Sequence, residues 1–341
     1  MATKGFFRAT KRLPRSRTVL LVASVALAVL VACSVAAVAK LEPAKAAFPD
    51  KNGKIAFSTI TLDGSEAEQI YSMNPDGSGV TKLTGLPGEN TDPDWLADGQ
   101  KIAFRNDFCS GDPYEGGVCT NDIYVMNADG SKMLNLTSNL AASSFFNPTW
   151  FPTANTILFE SDPHGQFDLY ALTFDALGNA TRLQRITKNA ANEQDAVVSP
   201  DGTKIAFTRY EYVDSTLTSV LYVMKRVAPK WTPVRATRLA YDASDPDWSP
   251  DGTKIAFVRN PFRLPGNTGL FVMNADGTSQ TRITAGGFPT FSPDGKKIAF
   301  SSGGDIYVIN AAPESDTNPR VNLTADTPGA AQRDPDWQPL P

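Results

Sequence analysis

The chain has one histidine among 341 residues, His164. That scarcity excludes whole classes of chemistry. A catalytic triad needs an imidazole oriented by a carboxylate beside its nucleophile, and a histidine-ligated metal site needs more than one imidazole. No G-x-S-x-G elbow occurs, so a strand-to-helix nucleophile has no candidate either. His164 sits in a His-Gly turn, where a solvated position accounts for it. Cysteine is nearly as rare, with three residues. Cys33 lies in the leader. Cys109 and Cys119 flank a loop between two strands, and without a nearby histidine they are poor zinc ligands. A Cys109–Cys119 disulfide in an oxidising compartment is therefore the expectation.

Charge is distributed unevenly. Residues 1–46 hold eight of the 32 basic side chains and one of the 36 acidic ones, so the remainder holds 24 and 35, a net charge of −11. Such a surface repels phosphate backbones, which argues against nucleic acid as a partner. The leader itself opens with six basic residues from Lys4 to Arg17, after which Val19 to Ala39 runs 21 residues without a charge. This is the pattern of an export signal or membrane anchor, with three possible outcomes. Ala44-Lys45-Ala46 fits a small-x-small cleavage site, Leu30-Val31-Ala32-Cys33 resembles a lipobox that would lipidate Cys33, and residues 19–39 are long enough to span a bilayer uncleaved. Each places the rest of the chain, residues 47–341, outside the cytoplasm, with the membrane touched only through the N-terminal segment.

What the chain has in abundance is repetition. The stretch Asp245 to Phe257, DPDWSPDGTKIAF, returns as DPDWLADGQKIAF at Asp92 and GFPTFSPDGKKIAF at Gly287. Looser copies start at Asn147 and Asp195. In Lys-Ile-Ala-Phe the large apolar residues fall on one face and alanine on the other, which is strand periodicity. Ser-Pro-Asp-Gly before it supplies a tight turn. A third segment of β-branched and aromatic residues follows, such as IYVMNADG at Ile123, and then a short fourth one such as TRIT at Thr281. Counted from Ile55, Ile102, Ile157, Ile205, Ile255 and Ile298, the spacings are 47, 55, 48, 50 and 43 residues. Four strands at this period predict an all-β, six-bladed β-propeller with four antiparallel strands per blade. Phe48 to Phe57 keeps only the second half of the unit, and Asp334 to Trp337 keeps only the first. The expectation is a ring closed by the C-terminal strand pairing into blade one.

The pattern resembles the TolB-like (WD-like) propeller repeat, with its W-S-P-D-G-x-x-I-A-F hairpin, I-Y-V-M-[DN]-x-D-G strand and short R-L-T strand. Trp248 to Phe257, Leu270 to Gly277 and Arg282 to Thr284 carry the match, and the resemblance runs over roughly residues 48–338. It implies an envelope-associated interaction role. Together with the scarcity of histidine, the expectation is a monomeric, non-catalytic module, without cofactor, that binds a protein or peptide or serves as a scaffold. The family's namesake carries an α/β domain before its propeller, whereas here the first blade follows the leader directly. An enzyme built on the same ring, a carbohydrate lyase or hydrolase-like protein acting at the channel mouth, is the alternative.

If the DPDW segments are innermost, Asp92, Asp94, Asp195, Asp245, Asp247, Asp334 and Asp336 line the channel, with Asn147 at the matching place in blade three. A ring of acids could hold a cation or a basic peptide end. Alternatively these aspartates bond backbone amides where each inner strand begins. The acidic loop Asp107 to Asp122 matches no known calcium loop. The sequons at Asn135 and Asn322 fall in the fourth-strand repeat, which already explains them.

Overall fold

The computed structural model describes residues 51–340 apart from 61–66, 111–116, 141–143, 153–154, 227–236, 260–268, 313–318 and 328–329. The N-terminal segment read above as an export signal or anchor, with Cys33 and the apolar run at 19–39, lies outside the described residues. Within them the strands form six four-stranded antiparallel sheets, one per repeat. Blades 2 to 6 begin on the inner strands Glu89–Trp95, Phe145–Trp150, Asn192–Val198, Ala243–Trp248 and Gly287–Phe291, each followed in order by its own second, third and outer strands. Blade 1 takes its inner strand from the far end of the chain: Ala330–Leu340 pairs antiparallel with Lys51–Ile60, placing Trp337 opposite Ile55. Among the described residues no helix is long and apolar enough to cross a membrane.

The hairpin joining inner and second strands forms as its residues dictate. Asp247 pairs with Ala256 and Trp248 with Ile255. In the turn between them the Gly252 amide donates to the Ser249 carbonyl at 2.7 Å, and the Asp251 carboxylate accepts from Thr253 N at 3.0 Å. Gly252 takes φ 67°, which a side chain would oppose.

Alternation along the second strand decides how blades stack. Ile255 and Phe257 gather with Trp248 and Met273 against Ala206, Leu221 and Val223 of the blade before. Ala256 faces the other way, among Phe291, Ile298 and Phe300 of the blade after. One face of each blade is large and the other small, so identical units nest all the way round. Six phenylalanines, one per blade from Phe57 to Phe300, are fully buried at these interfaces.

One junction departs from the rule. Blade 3 carries Leu158 where the other blades carry alanine, and blade 4 carries Val198 where DPDW would place tryptophan; both lie in one buried cluster with Ile205 and Phe207. The bulk added to one blade matches the bulk removed from the next.

The fourth-strand segments TKLT at Thr81, LNLT at Leu134 and VNLT at Val321 match TRIT in sequence, yet the outer strands of blades 1, 2 and 6 stop two residues short of their threonines, at Lys82, Asn135 and Asn322. The threonine that closes each repeat explains this. Thr84, Thr137 and Thr324 turn inward and accept the amides of Ile70, Ile123 and Ile306 at 2.9, 3.0 and 3.0 Å. Both sequon threonines are thus buried structural groups.

In blades 2 and 4 the hairpins between second and third strands are long. Lys101–Ser110 pairs with Val118–Asn127, and Lys204–Val213 with Thr216–Lys225. A disulfide joins Cys109 and Cys119, directly opposite each other near the first tip.

Candidate functional site at the channel mouth

Every inner strand bends at the same point. The residue at the bend takes a left-handed conformation, with φ between 45° and 53° at Asp92, Asn147, Asp195, Asp245, Phe288 and Asp334. At each bend the pairing register shifts in a β-bulge, as between Thr91 and Asp94 or Ser244 and Asp247. Aspartate and asparagine tolerate this conformation better than other side chains, and so the repeat uses them here. Phenylalanine does not, so Phe288 is a genuine departure.

The bends converge on the ring axis. All eight residues singled out from the sequence, Asp92, Asp94, Asn147, Asp195, Asp245, Asp247, Asp334 and Asp336, line one cavity of about 180 Å³. The mouth tier is made by the six bend residues. Two positions further on, a second tier of Asp94, Thr149, Val197, Asp247, Thr290 and Asp336 separates this cavity from a tighter one of about 60 Å³ lined by tryptophans and prolines.

The two tiers do different work. In the second, carboxylates stitch blade to blade: Asp336 accepts the Trp95 amide at 2.5 Å, Asp94 the Trp150 amide at 2.8 Å and Asp247 the Phe291 amide at 2.7 Å. These three are architecture, each closing an interface by offering a carboxyl oxygen to the backbone amide of the next blade. At the junction of blades 3 and 4, where the tier offers no carboxylate, Glu160 takes over and accepts the Asp195 amide at 2.5 Å.

The mouth aspartates bond mostly near themselves. Asp334 accepts from Ser58 Oγ at 3.1 Å, and Asp245 from Ser244 Oγ at 3.2 Å. Arg105 pairs with Asp92 at 3.3 Å and with Asp107 at 2.9 Å. Arg333 lies 3.6 Å from Asp334 and forms a bidentate pair with the buried Glu68.

Burial governs the acidity of both tiers. It pushes Asp245 to about 8, with the neighbouring charge of Asp195 adding to the effect. Asp247 is also raised to about 8 by burial, against the opposing pull of the Phe291 amide, and Asp336 to about 6. Asp94 and Asp334 are raised well above the usual carboxylate range for the same first reason, helped by Asp336 and Asp92 respectively.

This predicts an unusual pH dependence. An aspartate in the unfolded chain titrates near ~4, so between there and about 8 the folded ring binds more protons than the unfolded chain, and stability must fall as pH rises through that window. Turn carboxylates such as Asp76 and Asp276, held low by hydrogen bonds from Ser78 and Thr278, act oppositely and only below it. The melting temperature should be roughly 5–10 °C lower at pH 9 than at pH 5. Scanning calorimetry across pH 4–9 checks this, and a flat or rising curve would contradict it.

Sequence reasoning missed three residues of the site. Phe288 was legible, since GFPT aligned on SDPD puts it in the aspartate register. Glu160 and Tyr210 lie on second strands and carry no motif. His164 is exposed in its turn, as expected. Among the described residues no group of three or more histidines, cysteines, aspartates and glutamates is arranged to hold a metal ion.

Fold and site together define a six-bladed β-propeller with an acidic, proton-rich channel mouth. Its repeat and ring resemble those of TolB-like propellers. No family model matches the chain. Over 152 residues it is 27% identical to the protein TolB homolog of Chlorobium luteolum, a match covering 43% of this chain and 31% of that protein, less than a third of its length. Among solved structures, TolB from Acinetobacter baumannii is similar with a TM-score of 0.63 at 19% identity, over 84% of this chain and 67% of that one. Kuenenia stuttgartiensis hydrazine synthase is similar with a TM-score of 0.64 at 16% identity, over 84% of this chain and 47% of the other. At these identities the solved structures share the fold alone.

Proposed function

We propose that this chain is an exported, non-catalytic propeller that binds a protein or peptide partner at its channel mouth. The observation that carries the reading is convergence: six inner strands bring their bends to one cavity. Beside it, the hairpins of blades 2 and 4 present the exposed apolar side chains Phe108, Val118, Tyr212 and Leu217. Apolar groups next to a few convergent polar ones are what a recognition surface needs. The likeness to TolB proteins supports the same reading. Export rests on the leader 1–46, whether it is cleaved after Ala46, lipidated at Cys33 or retained as a span, and the Cys109–Cys119 disulfide suits the compartment it would reach. The mass of the mature N-terminal peptide distinguishes the three outcomes.

A second reading has one observation in its favour. Carboxyls held protonated near neutral pH, as Asp245 and Asp247 are, are also the groups that general acids use. One experiment separates the two. The mature protein and its Asp245→Asn, Asp247→Asn and Tyr212→Ala/Leu217→Ala variants are used to capture partners from an envelope extract, and the wild type is tested for turnover of glycan and peptide panels with and without divalent metal. Partners retained by the wild type and lost by Tyr212→Ala/Leu217→Ala, with no turnover, are the expected result. Turnover abolished by either aspartate substitution would overturn the binding reading in favour of an enzyme.

A further inference from the structure

The mouth tier is electrostatically lopsided. Blades 1 and 2 bring cations to their aspartates, Arg333 near Asp334 and Arg105 on Asp92. Around the opposite arc, Asp195 of blade 4 and Asp245 of blade 5 form no ion pair among the described residues, and the next position holds Phe288. That phenylalanine is 43% exposed and lines the cavity with them.

A second, independent observation lies behind this arc. Glu160 is completely buried, and its Oε1 accepts from Asn147 Nδ2 at 2.9 Å and from the Asp195 amide at 2.5 Å, both residues of the cavity wall. Its Oε2 is buried and has no hydrogen-bond partner among the described residues. A buried carboxyl oxygen left unpaired is unfavourable unless something completes it. Tyr210 stands close to the same three acids, and their charges add to the burial that raises its hydroxyl. Carboxyl groups without counter-ions beside an exposed aromatic ring form an environment that attracts an organic cation, through charge pairing once they give up their protons and through the negative face of the ring. A cavity of about 180 Å³ has room for one such side chain, not for a folded surface.

We propose that the arc formed by Asp195, Asp245 and Phe288 is a specificity pocket for one cationic side chain, arginine or lysine, of an extended peptide. This deepens the peptide-binding reading and rests on it. The ammonium or guanidinium group enters between Asp195 and Asp245, and its apolar stem lies along Phe288. Phe288 also acquires a reason for its strained backbone, because the ring position that costs conformational energy is the one that supplies the aromatic face.

The test uses two peptides, acetyl-Gly-Arg-Gly-Gly-amide and its neutral isostere with citrulline in place of arginine, titrated calorimetrically into the mature protein at fixed salt and at pH 9, above the value of about 8 to which burial raises Asp245. The arginine peptide should bind at least about tenfold more tightly. Asp245→Asn should remove that preference, since asparagine accepts the same left-handed backbone and stands at this position in blade 3. Asp92→Asn, whose charge Arg105 already answers, should change it by less than about threefold. Phe288→Gly should weaken the arginine peptide about three- to fivefold while leaving the melting temperature unchanged or higher, because glycine relieves the strain. A purely structural phenylalanine would give the reverse. Equal binding of the two peptides overturns the cation pocket and leaves peptide binding standing. Binding of neither overturns both.

Discussion

A chain ending at residue 329 is expected to show no cooperative unfolding transition. Removing 330–341 takes away the inner strand of blade 1, which no other segment can replace. Lost with it are the pairing to Lys51–Ile60, the buried Trp337 and the Trp337 Nε1 bond to the Gly53 carbonyl at 3.1 Å. The damage does not stay in one blade. Asp336 holds both neighbours, accepting from Thr290 Oγ1 in blade 6 at 3.1 Å and from the Trp95 amide in blade 2. Gln338 reaches blade 2 as well, donating to the Gly99 carbonyl at 2.8 Å. Trp337→Ala alone should cost about 3–5 kcal/mol, measured by denaturant unfolding. The truncated chain should bind ANS and lose near-ultraviolet circular dichroism. A synthetic peptide of residues 330–341 should restore part of both signals by adding back the missing strand. A truncated protein that melts like the full chain would show that closure is decorative.

The junction of blades 3 and 4 gives the second large effect, and it takes the form of a coupling. Leu158→Ala should destabilise by about 2–5 kcal/mol, because it opens a cavity in a cluster that has no tryptophan to fill it. Val198→Trp should cost about 1–3 kcal/mol or more, since the ring would press on Leu158. The double variant restores the combination used elsewhere in the ring, alanine on the second strand facing tryptophan from the next blade, and should recover at least about 1 kcal/mol relative to the sum of the single changes. Additive behaviour in the cycle would mean that the two departures are unrelated.

Much of this architecture can be read from residues alone, because a blade is specified locally. The large-small-large alternation of Lys-Ile-Ala-Phe fixes which face nests into which, and Ser-Pro-Asp-Gly fixes the hairpin. The orphan Asp334 to Trp337 fixes where the ring closes. Placing the aspartates at the channel needed only the period. Their division of labour was not legible. Asp94, Asp247 and Asp336 bond backbone amides of a neighbouring blade, and an amide leaves no trace in a motif. Glu160 was hidden for a similar reason: it serves a partner 35 residues away on another sheet. The shortened outer strands escaped because threonine, a good strand former, here uses its hydroxyl to turn the chain inward.

The two long hairpins carry a last implication. By strand register each runs past the first residue of its blade's inner strand, Glu89 opposite Asp107 and Asn192 opposite Tyr210, with the chain continuing three residues further to Ser110 and Val213. At ~3.3 Å per residue that overhang is roughly 10 Å on either side of blade 3. A broad, flat visitor would be propped up on these two posts and never touch the acids beneath. Only something slender, such as a tail, a loop or a single unfolded strand, can be threaded between them.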